Sequence, residues 1–295
     1  MKTRRDFLQL TSMGIMSTCL PENFNFLGLN PKKKMSVQLY TIRDHIAKDF
    51  TGSIKKISDL GFEYVETAFW PKGISLNQAA AVLSENNLKI SSCHIELPLG
   101  EYQKTFLETA KVFNCKNMIW HGWPEDKRYS SLEGTRELIK IYNNANKFAK
   151  ANGLSFGLHN HWWEFRNKVD GKFVYEVLLE ELDKDIFFEI DIYWVKVAGH
   201  RPDKIIKQFG DRVKLMHIKD GPAEFNQNLI SDNPDPMTPL GKGTQNLPAI
   251  FESAPAGCEW FVLEMDSSAI DVYDALKQSI EYMKPHISIS KKQNK

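Results

Sequence analysis

Imidazole and carboxylate side chains recur near the ends of short apolar segments along this sequence. Such side chains bind divalent metals and move protons near neutral pH. Taken alone, each of them is as compatible with a structural hydrogen bond as with a chemical role. The imidazoles and carboxylates, in chain order, are Glu66, His94, His121, His159, His161, Glu189, Asp191, His217, Glu264 and Asp266, and Lys219 lies among them.

The spacing of these residues predicts that they meet in one place. Several lie two positions apart, as His159/His161 and Glu189/Asp191 do, and residues two apart on a β-strand share a face. Gathering several carboxylates and imidazoles in a partly apolar cavity is unfavourable unless a cation joins them. We therefore predict one divalent metal ion, with Mn, Mg, Co, Zn or Fe compatible with the mixed nitrogen and oxygen donors.

The elements that would position these side chains alternate between short apolar segments and longer segments of helical periodicity. Eight strands in about 260 residues predict a single-domain α/β fold, a (β/α)8 TIM barrel, whose active site lies at the carboxyl ends of the strands. The predicted strands are Ser36–Tyr40, Tyr64–Ala68, Lys89–His94, Asn117–His121, Ser155–His161, Phe187–Ile192, Lys214–Ile218 and Phe261–Met265. The predicted helices are Phe50–Leu60, Leu76–Asn86, Glu101–Phe113, Leu132–Asn152, Val174–Leu182, Asp203–Phe209, Leu247–Ser253 and Ala269–Met283.

We assign the barrel to residues 34–286 and a disordered tail to residues 287–295. The irregular segment from Gly221 to Gln245 is a candidate active-site loop because of its length. Residues 1–30 contain Arg4-Arg5 followed by a mildly apolar segment, which is typical of a twin-arginine export signal. We expect export to the periplasm, without a lipid anchor at Cys19, since Thr18 suits such a site poorly.

The composition limits the function classes. Among 295 residues, 38 Lys and Arg stand against 37 Asp and Glu, a net charge of +1, so no basic surface for nucleic acid is indicated. The four cysteines form no CxxC pair, and Cys93, Cys115 and Cys258 are expected to be buried apolar residues. We predict no membrane span and a small sugar as substrate. The sequence leaves open whether the chain forms a homo-oligomer.

Several motifs together resemble the sugar phosphate isomerase/epimerase family. This family is part of the xylose isomerase-like TIM barrel superfamily, which also holds ketose 3-epimerases, inosose dehydratase and endonuclease IV. The similarity extends from about Met35 to Met283. The motifs that carry it are Gln38–Asp44, Leu158–His161 with Glu164-Phe165, Asp191–Trp194, Val197–Gly199, His217–Asp220, Gly241–Gly243 and Leu263–Asp266.

The resemblance implies a metal site built from the fifth to eighth strands. In the superfamily a Glu, an Asp, a His and a Glu hold the metal, and the last three match Asp191, His217 and Glu264. His159 stands where the first Glu is usual, with His161 as the alternative. A neutral imidazole in place of a carboxylate would make the ion a stronger Lewis acid, and it removes one of the two bases that the epimerases use.

We expect the catalytic groups to be Glu264, His161, Lys219 and Glu66, with Glu164 as another candidate for the missing base. Lys219 could stabilise an oxyanion or pair with Asp220 on the surface. For substrate binding we predict His94, Glu164, Trp162 and Trp194, because polar groups can bind sugar hydroxyls and aromatic faces can pack on sugar rings. Trp123 and Trp163 also follow strand ends.

The predicted function is a divalent-metal-dependent sugar isomerase or epimerase that acts on a keto- or aldo-sugar through an enediolate. A metal-dependent lyase or hydratase acting on a keto-sugar or keto-glycoside derivative is the first alternative, because it needs only one strong base and one acid. A non-catalytic exported sugar-binding protein is the second. An endonuclease IV-type repair enzyme is disfavoured, since it would need a basic groove for DNA.

Overall fold

Eight parallel strands close into a barrel in the computed structural model, which describes residues 33–225 and 235–287. A separate two-stranded antiparallel hairpin comprises β6 (Lys168–Val169) and β7 (Lys172–Phe173). The barrel strands are β1 (Lys34–Gln38), β2 (Tyr64–Thr67), β3 (Lys89–Ile95), β4 (Asn117–Trp120), β5 (Ser155–His159), β8 (Phe187–Asp191), β9 (Val213–Ile218) and β10 (Trp260–Leu263).

The strand order around the barrel is β1-β10-β9-β8-β5-β4-β3-β2. Each barrel strand therefore pairs with the barrel strands that precede and follow it in the chain, and β10 closes against β1. Each predicted strand overlaps one strand of the barrel, and the predicted (β/α)8 TIM barrel is confirmed. Several predicted strands extend past the observed ends, because the chain leaves the strand ladder as it turns into the mouth of the barrel.

Helices surround the barrel and connect its strands. Every predicted helix is present within a few residues of its predicted ends, whereas α1, α6 and α8 were not predicted. The helices are α1 (Arg43–Lys48), α2 (Phe50–Asp59), α3 (Leu76–Glu85), α4 (Tyr102–Val112), α5 (Leu132–Ala151), α6 (Trp163–Arg166), α7 (Val174–Glu181), α8 (Ile192–Val197), α9 (Pro202–Phe209), α10 (Leu247–Ser253) and α11 (Val272–Met283).

Local sequence explains where these elements begin and end. Ser75 and Gln78 form a reciprocal capping box at the start of α3, and the Ser131 hydroxyl accepts the Gly134 N–H at the start of α5. Gly61 and Gly153 follow helices with φ of +97° and +70°, a backbone conformation that residues with a Cβ atom adopt at a cost. Glycine at these two positions therefore lets the chain turn from helix to strand.

The strand β8 ends one residue earlier than predicted, at Asp191. The Asp191 Oδ1 atom accepts the backbone N–H groups of Tyr193 and Trp194 at 2.9 and 3.1 Å, so the carboxylate caps α8 directly after the strand. The segment Ile192–Val197 is almost wholly buried and rich in β-branched and aromatic residues, a composition typical of a strand. The cap overrides this preference and begins a helix at the mouth of the barrel.

The predicted export signal in residues 1–30 lies outside the described residues, as does the tail beyond residue 287. Among the helices of the described segments, no helix is long and apolar enough to cross a membrane. Cys93, Cys115 and Cys258 are buried, as predicted, and they form no disulfide with one another.

Candidate active site

A pocket of about 680 Å³ opens at the carboxyl ends of the barrel strands. Its walls combine aromatic rings with ionisable groups, a combination suited to a sugar that presents both C–H faces and hydroxyls. The lining residues are Tyr40, Ala68, Phe69, His94, His121, Trp123, His159, His161, Trp194, Lys219, Glu264 and Asp266.

Lys219 is the charge centre of this pocket. Its Nζ atom lies 2.8 Å from Asp191 Oδ2, 2.6 Å from Glu264 Oε2 and 2.8 Å from Asp266 Oδ2, and the residue is 1% exposed. Burial by itself lowers the pKa of Lys219, but the three carboxylates outweigh burial and hold its pKa well above the usual range. The side chain is therefore a buried ammonium at neutral pH.

The alternative pairing of Lys219 with Asp220 is wrong. The Asp220 carboxylate instead accepts backbone N–H groups of the segment that follows β9, at 2.9 to 3.1 Å. It thereby anchors the described parts of the predicted active-site loop, residues 221–225 and 235–245, and none of these loop residues lines the pocket. The donors are the N–H groups of Gly221, Gly241, Gly243 and Gln245.

His217 on β9 uses both ring nitrogens. Its Nδ1 lies 2.6 Å from Glu264 Oε2, and its Nε2 lies 2.7 Å from Glu66 Oε1 and 3.1 Å from Glu189 Oε2. Burial lowers the pKa of His217, but the surrounding carboxylates, Glu189 first, raise it well above the usual range. The ring is thus fixed in orientation between two groups of carboxylates.

Three imidazoles converge on one oxygen of Glu189. Its Oε2 lies 2.7 Å from His94 Nε2, 3.1 Å from His217 Nε2 and 3.2 Å from His159 Nδ1. Burial, followed by the positive charge of His217, holds the pKa of His159 well below the usual range. We call His94, His159, Glu189 and His217 the imidazole tetrad.

Glu66 lies beneath the pocket and does not line it. Its carboxylate accepts hydrogen bonds from Gln38 Nε2 at 2.7 Å and from the Ser92 hydroxyl, and it is fully buried beside His217. Burial and the neighbouring charge of Glu189 raise its pKa. The structure therefore places Glu66, predicted as catalytic, where it can orient imidazoles.

His161, which follows β5, lines the pocket with its ring. Its Nδ1 is buried and has no hydrogen-bond partner among residues 33–225 and 235–287. The ring stacks on Trp163 with a centroid distance of 4.3 Å. Burial, followed by the charge of Lys219, holds the pKa of His161 well below the usual range, so the imidazole is neutral.

Two carboxylates flank Lys219 with opposite pKa shifts. Burial raises the pKa of Asp191 to about 6, against the lowering effect of Lys219. Burial also acts to raise the pKa of Glu264, but the positive charges of Lys219 and His217 outweigh it and hold the pKa well below the usual range. Glu264 is therefore ionised at the pocket wall.

Two residues predicted to bind substrate do not line this pocket. The Trp162 ring packs under the Arg166 guanidinium, 4.5 Å from ring centroid to Cζ. Glu164 accepts the His161 N–H at 3.0 Å and lines a separate, narrow cavity between the barrel and α5 and α7. His94 and Trp194, the other two, do line the pocket.

Glu164 provides a test of stability against pH. Burial raises its pKa from 4.5 to about 8 in the folded protein. The stability that the neutral side chain contributes is complete below the unfolded pKa and is lost as the pH rises towards the folded pKa. Between about pH 5 and about pH 8, the free energy of unfolding of the native protein should fall by about 1.4 kcal/mol per pH unit relative to Glu164→Gln. Urea unfolding of both proteins at several pH values measures this slope. An equal slope of the native protein relative to the exposed control Glu133→Gln would contradict the prediction.

Some residues that line the pocket or lie behind its wall were given no role from the sequence. Tyr40 and Asp266 line the pocket and lie in motifs that carried the family resemblance. Phe69 follows β2 and gave no signal in the sequence, because a lone exposed phenylalanine is common. Glu189 shares a face with Asp191, and this alternation was the signal that could have identified it.

Two groups of donors could hold a metal ion. One is the carboxylate triad, by which we mean Asp191, His217 and Glu264, and the other is the imidazole tetrad. The predicted ligands are therefore divided between the two groups. Asp191, His217 and Glu264 form the triad, and His159 belongs to the tetrad with His217. Within the tetrad, Glu189 Oε1 and His159 Nδ1 are buried without a hydrogen-bond partner among the described residues. Such donors fit a divalent metal of the Zn, Co or Mn type.

Comparisons with known proteins agree with this architecture. The family model described as xylose isomerase-like TIM barrel matches residues 54–286. No curated protein matches the chain. Among solved structures, a sugar phosphate isomerase/epimerase from Parabacteroides distasonis is similar with a TM-score of 0.71 and 21% identity, covering 87% of this chain and 100% of that one.

Two further structures share the fold at lower identity. A probable 3-DHS dehydratase from Bacillus anthracis has a TM-score of 0.61 and 16% identity over 85% of this chain and 98% of that one. A D-allulose 3-epimerase from Methylomonas sp. has a TM-score of 0.60 and 14% identity over 87% of this chain and 99% of that one. At these identities, the similarity shows the fold.

Proposed function

Because the chain belongs to the xylose isomerase-like TIM barrel family, we propose that it is a divalent-metal-dependent isomerase or epimerase of a keto- or aldo-sugar. One observation carries this proposal: an ionised carboxylate, a buried ammonium and an unpartnered imidazole face the same pocket, on Glu264, Lys219 and His161. Structural neighbours that bear isomerase and epimerase names support the reaction class.

The chemistry begins with removal of a proton from the carbon next to the sugar carbonyl. Glu264 takes this proton, the C–H electrons form the carbon–carbon double bond of an enediolate, and the carbonyl oxygen gains the negative charge. Lys219 stabilises that charge, because a preorganised ammonium in a buried site interacts strongly with a developing oxyanion. Asp191 and Asp266 hold the ammonium in place at 2.8 Å each.

His161 supplies the second proton-transfer group. The ring can relay a proton from solvent to the enediolate, which gives an epimer if the proton reaches the opposite face of the same carbon. It gives an isomer if the proton reaches the neighbouring carbon and the hydroxyl proton moves from one oxygen of the enediolate to the other. The stack on Trp163 fixes the ring plane. The resemblance leaves one base of the epimerases unaccounted for, and His161 fills that role in this proposal.

A metal ion is part of the proposal because imidazole and carboxylate donors surround His217. When bound, a divalent ion would supply Lewis-acid polarisation of substrate oxygens. Glu66 keeps the rings of His94 and His217 aimed inward, with its Oε1 atom at 3.2 and 2.7 Å from their Nε2 atoms. Glu66 is a positioning residue.

A lyase or hydratase acting on a keto-sugar derivative is the second candidate. His159 in place of the usual Glu removes a carboxylate base, and an elimination needs only one strong base and one acid. The fold similarity to a probable dehydratase supports keeping this reaction. In this reaction the enediolate formed by Glu264 would expel a leaving group from the adjacent carbon, and His161 would relay a proton from solvent to that group.

We also propose that the protein is exported by the twin-arginine route, which Arg4-Arg5 in the sequence supports. An exported enzyme meets unphosphorylated sugars more often than phosphorylated ones. The first substrates to test are therefore free keto- and aldo-sugars.

The test is deuterium exchange. Metal-loaded protein incubated with keto- and aldo-sugars in D2O should place deuterium at the carbon next to the carbonyl, followed by NMR and mass spectrometry. Exchange with otherwise unchanged mass identifies an isomerase or epimerase, whereas loss or gain of water identifies a lyase or hydratase. EDTA should stop the exchange, and Mn, Co, Zn or Mg should restore it.

A contrary result is also defined. Tight sugar binding with no deuterium incorporation before or after metal addition would overturn the proposal. It would leave a non-catalytic sugar-binding protein.

A further inference from the structure

We infer that the imidazole tetrad (His94, His159, Glu189 and His217) binds the metal ion, and that Lys219 takes the cation position beside Asp191 and Glu264 that the family resemblance assigns to metal. This inference rests on the proposed metal dependence and names its ligands. It predicts three imidazoles on the metal, whereas the resemblance predicts two.

The spacing of the tetrad suits a metal ion. Ligand atoms in a tetrahedral site with bonds near 2.0–2.1 Å lie about 3.3 Å apart. The three imidazole nitrogens lie 2.7, 3.1 and 3.2 Å from Glu189 Oε2. Two of these distances are close to that spacing, and the His94 distance is about 0.6 Å shorter. Small side-chain shifts would complete the site.

The tetrad also contains donors that the protein leaves unused. Glu189 is fully buried, and its Oε1 atom has no hydrogen-bond partner among the described residues; the same holds for His159 Nδ1. A buried polar atom without a partner destabilises the folded state, because it has lost its hydrogen bonds to water. A bound cation removes this cost by using the free lone pairs.

The carboxylate triad, in contrast, already has a cation. Lys219 Nζ contacts Asp191 Oδ2 and Glu264 Oε2, and the other oxygen of Asp191 caps α8. A metal held by these two carboxylates would have to displace a buried ammonium that has three carboxylate partners. Displacement would leave that ammonium desolvated without its partners.

The two positions share His217, and its hydrogen bonds favour the tetrad. A histidine that binds a metal through one nitrogen usually donates its other N–H to a carboxylate. With Nε2 directed to the metal in place of its 2.7 Å contact with Glu66 Oε1, the Nδ1–H donates to Glu264 Oε2 at 2.6 Å. Glu264 then orients the ligand from the pocket side.

The experiment uses the full chain and Co2+ as the probe. After EDTA treatment and dialysis, Co2+ is titrated by calorimetry, and the loaded protein is examined by X-ray absorption, which counts bound imidazoles. We expect one Co2+ per chain with three imidazole ligands.

Matched variants identify the ligands. His94→Gln and Glu189→Gln should each weaken Co2+ binding by at least about 100-fold, since even the loss of an outer hydrogen-bond partner can weaken metal binding by about 10–100-fold. Asp191→Asn keeps a side-chain oxygen that can cap α8, and it should change Co2+ affinity less than about threefold. Circular dichroism and thermal unfolding establish that each variant is folded.

Two results would overturn the inference. One is a two-imidazole site that Asp191→Asn weakens and His94→Gln leaves intact, in which case the proposed metal enzyme stands and only the ligand assignment fails. The other is absence of Co2+ binding in folded native protein, together with deuterium exchange that EDTA leaves unchanged. In that case the metal itself is excluded from both proposals.

Discussion

Lys219→Met is expected to lower the free energy of unfolding by about 3–5 kcal/mol, because the variant leaves buried carboxylates without their cation. Asp191, Glu264 and Asp266 all lie within 2.8 Å of the ammonium in the native protein. Methionine keeps most of the side-chain volume, so the loss reports charge and hydrogen bonding more than packing. Urea unfolding at neutral pH measures it.

The control lies on β9, the strand that Lys219 follows. Lys214 is partly exposed, and Lys214→Met should change stability by less than about 0.5 kcal/mol. A loss below about 1 kcal/mol for Lys219→Met would contradict the expected role of the ammonium.

The same variant should acquire a new affinity. Once the ammonium is gone, the carboxylate triad becomes an open site with oxygen donors for Mg2+ or Co2+. Added Co2+ should therefore raise the melting temperature of Lys219→Met more than that of the native protein, and calorimetry should detect a second Co2+. Equal stabilisation of the two proteins would mean that Lys219 does not occupy a cation position.

Glu264→Gln is expected to slow deuterium exchange by about 1000-fold, because an amide cannot accept the substrate proton. The variant keeps an oxygen that can accept hydrogen bonds from His217 and Lys219, so the pocket should persist. Exchange is measured by NMR on each of two epimers separately. If His161 acts on the opposite face, the variant should lose exchange from one epimer, retain exchange from the other and lose interconversion.

Asp266→Asn is the matched control for Glu264→Gln. It removes one negative charge that also lies beside Lys219 and faces the same pocket. We expect it to slow exchange by less than about tenfold, since that range covers altered positioning without loss of the base. Equal effects in the two variants would show that Glu264 acts through charge alone.

The barrel could be predicted because its signals are local. Apolar segments of strand length alternate with amphipathic helices, and this alternation fixes eight βα units without any knowledge of contacts. Helix α8 could not be predicted in the same way. The segment Ile192–Val197 favours a strand by composition, and only the cap from Asp191 makes it a helix.

The residues of the site could be predicted from the sequence, but their contacts with one another could not. Position at the ends of buried strands marked a set of polar residues that includes Asp191, His217 and Glu264. The family resemblance then singled out these three as metal ligands. The contacts of Lys219 did not follow, because β9 ends at Ile218 and strand alternation no longer sets the direction of the next side chain. Its partners come from β8 on one side and from the residues after β10 on the other, which only the closed barrel brings together.

The covalent attachment of the Lys219 ammonium distinguishes it from a bound ion. A metal is held by an equilibrium, so dilution, competing chelators or scarcity in the surrounding medium can strip it from a protein. A charge carried on a side chain has no dissociation constant and cannot be lost in these ways. For a protein expected to work outside the cytoplasm, one of the three positive charges that Lys219 and a divalent ion would supply together would then be independent of the ion supply.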